Sequence, residues 1–366
     1  MRILYDHQVF SLQNVGGAST YFYELASHLS RLPSESVSLY LGLQRSVQPF
    51  WSLKQYGARV MEWDSNMRPG LARYAVNEAV TSALCLAIGR FDIYHATLYR
   101  RMPMARARRL VATNHDCTHE TFPDLFPDAQ RVIEAKERLY DSADAIICVS
   151  ESSRLDLIKF YNPDPAKIHV ISLGLPRLRR DAIASQEFVA SLRRPYLLFV
   201  GARHTYKNFG GLLKAFAHGG FVEDYDLVVI GGGKFSDREL DEIRSFGLSS
   251  AVIHWDFVSE PILAEAYARA RLFVSPSLYE GFGLPPLEAM SLGCPVLASN
   301  SSSSPEVCGE AAFYFDPLCD GDLERGLCDA LNDRDGQRRR EIGTERAASF
   351  RWQTMAEETM AVYRGL

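Results

Sequence analysis

Residues 275–296 read SPSLYEGFGLPPLEAMSLGCPV, and the fold class can be predicted from this stretch. The apolar run at 272–274, just before it, predicts a buried strand, and the glycines of EGFG predict a turn. Pro285 and Pro286 suit the first turn of a helix, where a missing N–H costs little. A second apolar run at 295–298 predicts the next strand. The stretch is therefore one strand–helix–strand unit, typical of a parallel sheet covered by helices.

The same alternation of strands and helices runs through both halves of the chain. In the first half the predicted strands are 2–5, 36–42, 93–95, 110–113, 145–149 and 168–171, with an amphipathic helix over 21–32. In the second half the predicted strands are 195–201, 226–230, 251–255, 272–274 and 295–298, and the predicted helices are 208–218, 237–246, 261–270 and 285–292. We therefore predict an α/β protein of two Rossmann-like, doubly wound domains, at 1–175 and 195–348, joined by a linker at 176–194.

Length and composition agree with two soluble domains. At about 100–200 residues per domain, the 366 residues indicate two of them, and 47% apolar residues exclude wholesale disorder. The net charge of −5 argues against a nucleic-acid partner. The seven cysteines include no C-x-x-C, and the longest apolar stretch, 79–88, is far shorter than the ~20 residues of a membrane-spanning helix. We expect a cytoplasmic chain with reduced thiols.

The predicted strand ends are where a ligand is expected. Open parallel sheets bind ligands at the carboxyl ends of their strands, and two such sheets facing each other leave a cleft. Glu280 and Glu288 bracket the start of the helix at 285–292, where unpaired backbone N–H groups favour an anion. Carboxylates accept hydrogen bonds and suit sugar or ribose hydroxyls. The alternative is that these two residues only complement the helix dipole.

Two cations follow the strand at 195–201. Gly201 ends that strand, and Arg203 and Lys207 stand four residues apart before the next helix. Cations just past a strand end suit a diphosphate and would neutralise charge developing on a leaving group. A surface loop with solvated cations is the other interpretation.

Two further strand ends carry candidate residues in the first half. Gly16 and Gly17 precede the amphipathic helix and would let the backbone approach a phosphate or sugar closely. His115 and Asp116 follow the strand at 110–113, where a histidine either binds a sugar hydroxyl or makes a structural hydrogen bond.

Other motifs argue against competing chemistries. The glycines at 231–233 follow a strand, but the chain has no G-x-G-x-x-G, which disfavours a dinucleotide-dependent oxidoreductase. We interpret them as a tight loop beside a nucleotide. The D-x-D patterns at 224–226 and 320–322 are badly placed to hold a metal ion, so no metal site is expected.

Taken together, these residues resemble glycosyltransferase family 4, the retaining group with the GT-B fold. The segment with Glu280 and Glu288 matches the family's E-x7-E element, and the segment with Gly201, Arg203 and Lys207 resembles its donor-phosphate element. The two glycines and His115–Asp116 resemble its two amino-terminal elements. The resemblance covers nearly the whole chain, and it implies that the helix at 349–366 returns to the first domain.

The resemblance also implies residue roles. Arg203 and Lys207 would bind the donor diphosphate, Glu288 would accept from the ribose hydroxyls, and the base would lie against 256–258, including Val258. Glu280 would hold the donor sugar and His115 would contact it near the reacting carbon. The remaining donor contacts would come from the backbone of Gly16, Gly17, Gly201, Phe282, Gly283 and Leu284. The family needs no metal and no other cofactor.

The implied reaction is transfer of a hexose with retention at the anomeric carbon, through a same-face displacement in which the departing phosphate accepts the acceptor proton. The donor favoured is GDP-mannose, with dTDP-rhamnose or a UDP-sugar as alternatives. The acceptor would be a glycan of bacterial surface polysaccharide such as O-antigen, with a polyprenyl-diphosphate-linked form as one possibility. A catalytically silent binding or scaffold protein of the same fold is the remaining alternative.

An arginine cluster bears on the acceptor. Arg100, Arg101, Arg106, Arg108 and Arg109 lie close together in sequence. They form either a solvated loop or a surface attracted to anionic lipid or an acceptor pyrophosphate, which would place the first domain peripherally on the inner face of the plasma membrane.

Overall fold

The structure is a computed structural model that describes residues 1–12, 16–44, 49–64, 71–88, 90–99, 107–176, 178–181, 183, 186–203, 205–333 and 335–366. The chain divides into two compact units. The first comprises Met1–Gly174 together with Arg351–Leu366, and the second is Leu175–Phe350.

The first unit is built on a fully parallel sheet. Its described strands are β1 (Arg2–Tyr5), β2 (Ser36–Gln44), β3 (Arg59–Asp64), β4 (Phe91–His95), β5 (Ala107–Asn114), β6 (Ala145–Cys148) and β7 (Ile168–Val170). They lie in the order β3-β2-β1-β4-β5-β6-β7, with Ile3 opposite both Val37 and Ile93. Ile3, Leu4 and Tyr5 are completely buried, as expected for a central strand covered on both faces.

The helices of the first unit join these strands. They are α1 (Gln8–Leu12), α2 (Gly17–Leu29), α3 (Leu71–Ile88), α4 (Thr118–Thr121), α5 (Ala129–Ser142) and α6 (Glu151–Tyr161), with short 3₁₀ helices at Phe50–Tyr56, Pro123–Leu125 and Pro165–Lys167. The strand order reverses between β1 and β4, which places the ligand-binding crevice of an open α/β sheet at that point.

The second unit repeats this plan. Its described strands are β8 (Tyr196–Val200), β9 (Asp226–Ile230), β10 (Val252–Trp255), β11 (Leu272–Ser275), β12 (Val296–Ser299) and β13 (Ala312–Phe315), all parallel in the order β10-β9-β8-β11-β12-β13. Renumbered from the first strand of the unit, this is the 3-2-1-4-5-6 order of the Rossmann fold. Here the order reverses between β8 and β11.

The helices of the second unit are α7 (Gln186–Ser191), α8 (Phe209–His218), α9 (Asp237–Ser245), α10 (Glu260–Arg269), α11 (Leu284–Ser291), α12 (Ser304–Cys308), α13 (Asp322–Leu331) and α14 (Gly336–Ala348), with 3₁₀ helices at Thr205–Lys207, Phe221–Glu223 and Gly309–Ala311. Leu197 and Val229 of the sheet pack with Leu212 and Phe216 of α8 in one apolar core.

The chain then returns to the first unit as α15 (Trp352–Gly365). Tyr363 near its end is buried, and its hydroxyl lies 2.5 Å from His95 Nδ1 and 3.2 Å from the Tyr5 hydroxyl. The last helix is therefore tied to β1 and β4 in the middle of the first sheet.

The prediction of two Rossmann-like, doubly wound domains is confirmed. The described residues of the predicted linker at 176–194 belong to the second unit. Phe188 of α7 is fully buried there, with its ring 5.6 Å from that of Trp255 and 6.4 Å from that of Tyr196. Helix α7 of this segment is therefore packed on the second unit through Phe188.

Helix α3 was missing from the predicted elements because its amphipathic pattern is inverted. It buries Arg73 and Asn77 completely, while Leu71 is 60% and Val76 41% exposed. Arg73 donates through Nε to the Ser11 carbonyl at 2.9 Å, which satisfies the buried guanidinium. A helix whose buried face is polar shows no apolar stripe in its sequence.

Among the helices that the structure describes, none combines the length and the apolar character of a membrane span.

Candidate active site

The loops that follow β8 and β11 meet at the point where the second sheet reverses its strand order. Gly201, directly after β8, has φ +134°, a conformation that favours glycine. The Leu278 N–H after β11 donates to the Tyr206 carbonyl after β8 at 2.7 Å. The main chain therefore joins the two loops that carry the predicted phosphate-binding and E-x7-E segments.

An ion pair completes this junction. Lys207 Nζ lies 2.6 Å from Glu280 Oε1, and the two side chains are 21% and 17% exposed. Ser277 Oγ donates to the same carboxylate oxygen at 2.7 Å. Two residues predicted from separate motifs, 73 positions apart, are thus brought into direct contact. The arrangement offers a cation and a hydroxyl acceptor side by side at the edge where ligands bind.

A run of serines after β12 holds the Glu280 loop in place. Ser302 Oγ accepts from the Glu280 N–H at 2.8 Å. Three neighbours donate to carbonyls of that loop: Ser299 to Ser277 at 2.6 Å, Ser301 to Leu278 at 2.6 Å, and Ser303 to both Glu280 and Phe282 at 2.9 Å. These serines were not among the predicted site residues. The available signal was their position, directly after a strand that neighbours β11.

Helix α11 begins at this loop. Gly283 is its N-cap, with φ +92°, and Pro285 and Pro286 occupy its first turn as predicted. Phe282 is 5% exposed, and its ring lies edge-on to that of Phe350 with centroids 5.7 Å apart. The backbone from Phe282 to Leu284 therefore lies at a helix N-terminus. The first turn offers an anion the Leu284 N–H, whereas Pro285 and Pro286 supply no N–H.

Glu288 lies one turn further along α11. Its Oε2 accepts from the hydroxyl of Tyr267, a fully buried residue of α10, at 2.9 Å. Burial raises the pKa of the Glu288 carboxyl, and the hydrogen bond from Tyr267 lowers it in part. Glu288 is thus a partly desolvated acceptor, separate from the Lys207–Glu280 pair.

Arg203 is engaged differently from the expectation of an open cation. Its side chain is 3% exposed, and its Nε donates to Glu239 Oε1 at 2.6 Å. The rest of the guanidinium faces the carbonyls of the glycine loop: Gly231, Gly232 at 3.3 Å, Gly233 at 2.8 Å and Lys234 at 3.1 Å. Gly232 has φ +78°, in the left-handed region that favours glycine. The structure therefore shows Arg203 holding this loop, and its contact with a diphosphate stays a prediction.

The segment predicted to receive the base follows β10. Val258 is half-buried, and the neighbouring Phe257 is 75% exposed. An exposed aromatic ring beside a strand end can stack on a flat heterocycle. The base contact itself stays a prediction.

In the first unit, His115 follows β5 in a largely apolar setting. Its ring lies edge-on to the rings of Tyr21 and Phe22, with centroids 5.3 and 6.0 Å away. Burial lowers the pKa of His115 to about 4, so the imidazole is neutral at pH 7. Its Nε2 is buried and finds no hydrogen-bond partner in the described parts of the structure. A buried, unsatisfied polar atom of this kind is uncommon and fits a site that receives a ligand.

A buried ion pair lies beneath this histidine. Lys136 of α5 is 1% exposed and donates through Nζ to the Asp116 carbonyl at 2.8 Å and to Glu120 Oε1 at 2.9 Å. Tyr161 also donates its hydroxyl proton to Glu120. The pair fixes the loop that carries His115. The sequence signal was a lysine on the otherwise apolar face of α5, and it was missed.

The two amino-terminal glycines lie at the start of α2. Gly16 has φ 167°, extended backbone that any residue adopts, and Gly17 is exposed as the first helical residue. The φ of Gly16 does not itself require a glycine, and the close approach of a phosphate or sugar to this backbone stays a prediction. Residues 13–15 of the same predicted motif lie outside the described residues.

The arginine cluster is only partly described. Arg100, Arg101 and Arg106 lie outside the described residues. Arg108 and Arg109 are 68% and 48% exposed and pair with Asp92 at 3.7 Å and Asp144 at 2.8 Å. These two follow the interpretation of solvated cations, since each has a carboxylate partner.

Each half of the chain matches a known protein family. Residues 15–177 match the family model described as Glycosyltransferase Family 4, and residues 182–347 match that of Glycosyl transferases group 1. The chain is 33% identical over 273 residues to the O-antigen chain mannosyltransferase B of Escherichia coli, covering 71% of each protein. It is 30% identical over 236 residues to the MMP α-(1→4)-mannosyltransferase of Mycolicibacterium hassiacum, covering 63% of this chain and 56% of that one.

The fold is also found among solved structures. The structure of Anabaena HepE in complex with UDP-glucose matches with a TM-score of 0.75 at 19% sequence identity, and the match covers 100% of both chains. Two Rossmann-like units in one chain, both family models and a mannosyltransferase relative point the same way. The chain therefore belongs to glycosyltransferase family 4 and is a glycosyltransferase of the GT-B type.

Proposed function

We propose that the protein transfers a hexose from a nucleoside-diphosphate sugar to a glycan of bacterial surface polysaccharide, with GDP-mannose as the favoured donor and retention at the anomeric carbon. The observation that carries the proposal is the contact between Lys207 and Glu280, 2.6 Å apart at the strand-order reversal of the second sheet. The relatives named as mannosyltransferases support the choice of mannose, and the O-antigen relative supports the class of acceptor.

The donor would be held by the second unit through three kinds of contact. Lys207 is a partly exposed cation and would meet the diphosphate, with the Leu284 N–H at the start of α11 as a further donor. Glu280, held by Ser277 and by the serine run, would accept from hydroxyls of the sugar. Glu288 would accept from the ribose, and the exposed ring of Phe257 would stack on the base.

In the reaction, the bond between the anomeric carbon and the donor phosphate oxygen breaks, and a bond from the same carbon to the acceptor oxygen forms on the same face. The acceptor hydroxyl proton goes to an oxygen of the departing diphosphate. Negative charge grows on that diphosphate, and Lys207 would stabilise it in the role that a metal ion fills elsewhere. Arg203 would join by exchanging carbonyl partners for phosphate oxygens, which form stronger, charge-assisted bonds.

His115 would serve the sugar in its neutral form. Its pKa of about 4 keeps the ring uncharged, and Nε2 is left to bind a sugar hydroxyl. The glycines at 16 and 17 would contribute backbone contacts. A polyprenyl-diphosphate-linked acceptor at the inner face of the membrane is the form of acceptor we favour, because O-antigen is the product named for a relative.

A ligand panel tests the proposal. Thermal unfolding with GDP, UDP, dTDP and NAD should show a raised midpoint with at least one nucleoside diphosphate and none with NAD. Release of nucleoside diphosphate from GDP-mannose, dTDP-rhamnose and UDP-glucose in the presence of an O-antigen-type acceptor then identifies the donor. No midpoint shift with any nucleoside diphosphate would overturn the proposal, and binding without release would favour the scaffold alternative.

A further inference from the structure

A buried tyrosine of the second unit gives its only hydroxyl proton to Glu288. Tyr267 of α10 is 0% exposed, and its ring packs against that of Phe273 in β11 with centroids 5.5 Å apart. Its hydroxyl donates to Glu288 Oε2 at 2.9 Å. A phenol carries one proton, so this contact uses the whole donor capacity of Tyr267. Packing on the sheet leaves the ring little room to turn, and the position of Oε2 is fixed with it.

The second carboxylate oxygen of Glu288, Oε1, has different surroundings from Oε2. Oε1 of Glu288 has no hydrogen-bond donor among the residues that the structure describes. It is also not among the buried polar atoms left without a partner, so solvent reaches it. The carboxylate therefore has one oxygen anchored in the interior and one presented outward.

We propose that Tyr267 is a positioning residue that gives the nucleotide-binding site its preference for ribose, by holding Glu288 so that Oε1 accepts from a ribose hydroxyl. This inference rests on the proposed function, in which Glu288 receives the ribose. Without the tyrosine hydroxyl, the partly buried carboxylate has no donor to stabilise its charge. It would then turn toward solvent or take up a proton, and a protonated acid donates where the site needs an acceptor.

The test compares how well ribose and deoxyribose nucleotides bind. The dissociation constants of GDP, 2′-deoxy-GDP and 3′-deoxy-GDP are measured by calorimetry for wild type and Tyr267→Phe, with the UDP series used if UDP is the tighter ligand. Wild type should bind the ribonucleotide about tenfold or more tightly than the form lacking the contacted hydroxyl, the usual effect of a hydrogen bond to a charged group. In Tyr267→Phe that ratio should fall to about threefold or less.

A matched control is available in strand β8, where the hydroxyl of Tyr196 contacts the same helix. Tyr196 is 2% exposed and donates its hydroxyl proton to the carbonyl of Ala266, the residue before Tyr267. Tyr196→Phe removes an equally buried hydroxyl that does not touch Glu288, so the ratio of ribose to deoxyribose affinity should stay at its wild-type value. A Tyr267→Phe protein that binds all three nucleotides more weakly by one common factor would overturn the inference, since that result describes loosened packing only.

Glu288→Ala separates this inference from the proposed function. If Glu288→Ala removes the ribose preference while Tyr267→Phe retains it, Tyr267 does not position the carboxylate and only the inference is lost. If Glu288→Ala retains the preference, the ribose contact assigned to Glu288 is wrong and the inference falls with it, while hexose transfer itself is decided by the ligand panel. Loss of the preference in both variants, with Tyr196→Phe unchanged, supports both.

Discussion

The two units share a strand order, yet the edges where that order reverses are built in opposite ways. In the first unit, Asp6 follows β1 and is 2% exposed. Its carboxylate accepts from the Gln8 side chain at 2.7 Å, from the Tyr94 hydroxyl at 2.7 Å and from the Thr97 hydroxyl. In the second unit the corresponding edge holds the partly exposed pair Lys207–Glu280. Topology selects the edge in both units. Of the two carboxylates, Asp6 is enclosed, whereas Glu280 and its partner Lys207 are within reach of a ligand.

The difference separates a structural carboxylate from a binding one. Asp6 has donors from three residues of its own unit, so a ligand would have to displace them. Lys207 and Glu280 keep contact with solvent, and a diphosphate or a sugar hydroxyl can be added without unpairing a buried charge.

Lys207→Ala should lower kcat by about 10²–10³-fold, because the charge that Lys207 meets grows on the departing diphosphate. The measurement is steady-state release of nucleoside diphosphate at saturating donor. Lys214 is an exposed lysine of α8 in the same unit, and Lys214→Ala should leave kcat within about twofold of wild type. Equal kcat for Lys207→Ala and wild type would remove Lys207 from the diphosphate.

Asp6→Ala should instead act on stability, lowering the free energy of unfolding by about 3 kcal/mol because several buried donors lose their acceptor. Urea unfolding followed by circular dichroism measures this. Affinity for nucleoside diphosphate should be unchanged under native conditions. Asp124 is exposed, and Asp124→Ala serves as the control with no expected loss of stability. Weakened nucleotide binding in a folded Asp6→Ala protein would contradict the contrast between the two edges.

Glu288→Ala should weaken binding of nucleoside diphosphate by roughly 1–3 kcal/mol, the scale of a hydrogen bond to a charged group. Calorimetry of GDP or UDP binding provides the measurement. The unfolding free energy should change less, because Glu288 has Tyr267 as its one hydrogen-bond partner in the described structure. Unchanged nucleotide affinity would show that the second edge does not receive the ribose.

Mild acid should destabilise the protein through the buried histidines of the first unit. Burial lowers the pKa of His115 to about 4 and that of His95 to about 3, both below the ordinary value of 6.5. The unfolded chain therefore binds more protons than the native one, and stability falls as pH drops from 6.5 toward 4. Each histidine contributes at most about 1.4 kcal/mol per pH unit in this window.

Urea midpoints at pH 7.0, 5.5 and 4.5 measure this effect. His115→Gln removes one titrating group and should flatten the dependence on pH. A profile as steep as that of wild type would show that His115 is not the neutral, buried group described above.

Much of the fold follows from sequence patterns, and the exceptions have physical reasons. The 226–230 strand was predicted with the bounds observed, because a short apolar run between turn residues has few other structures open to it. The elements that were not predicted include strands β3 and β13 and helices α3, α5, α6, α13 and α14. For α3 the reason is the burial of Arg73 and Asn77, whose hydrogen bonds no apolar periodicity can reveal.

For the site, sequence spacing selected candidate residues but could not show their hydrogen-bond partners. Lys207 and Glu280 were each predicted to bind the donor, and the structure adds that they contact one another. The Arg203 guanidinium and the serines after β12 act through backbone carbonyls, which sequence letters do not show. The burial of Lys136 is explained by its partner Glu120, sixteen positions away in the sequence.

The return of α15 bears on how the molecule is made. The first unit needs Arg351–Leu366 to complete it, and the Tyr363 hydroxyl is hydrogen-bonded to His95 in its centre. The second unit is one continuous piece of chain. During synthesis the ribosome therefore delivers all of the second unit before it supplies the last helix of the first. The first unit stays incomplete until its last helix is synthesised, whereas the second unit can fold before then. In a nascent chain the second unit can therefore complete its fold before the first, although it is translated later.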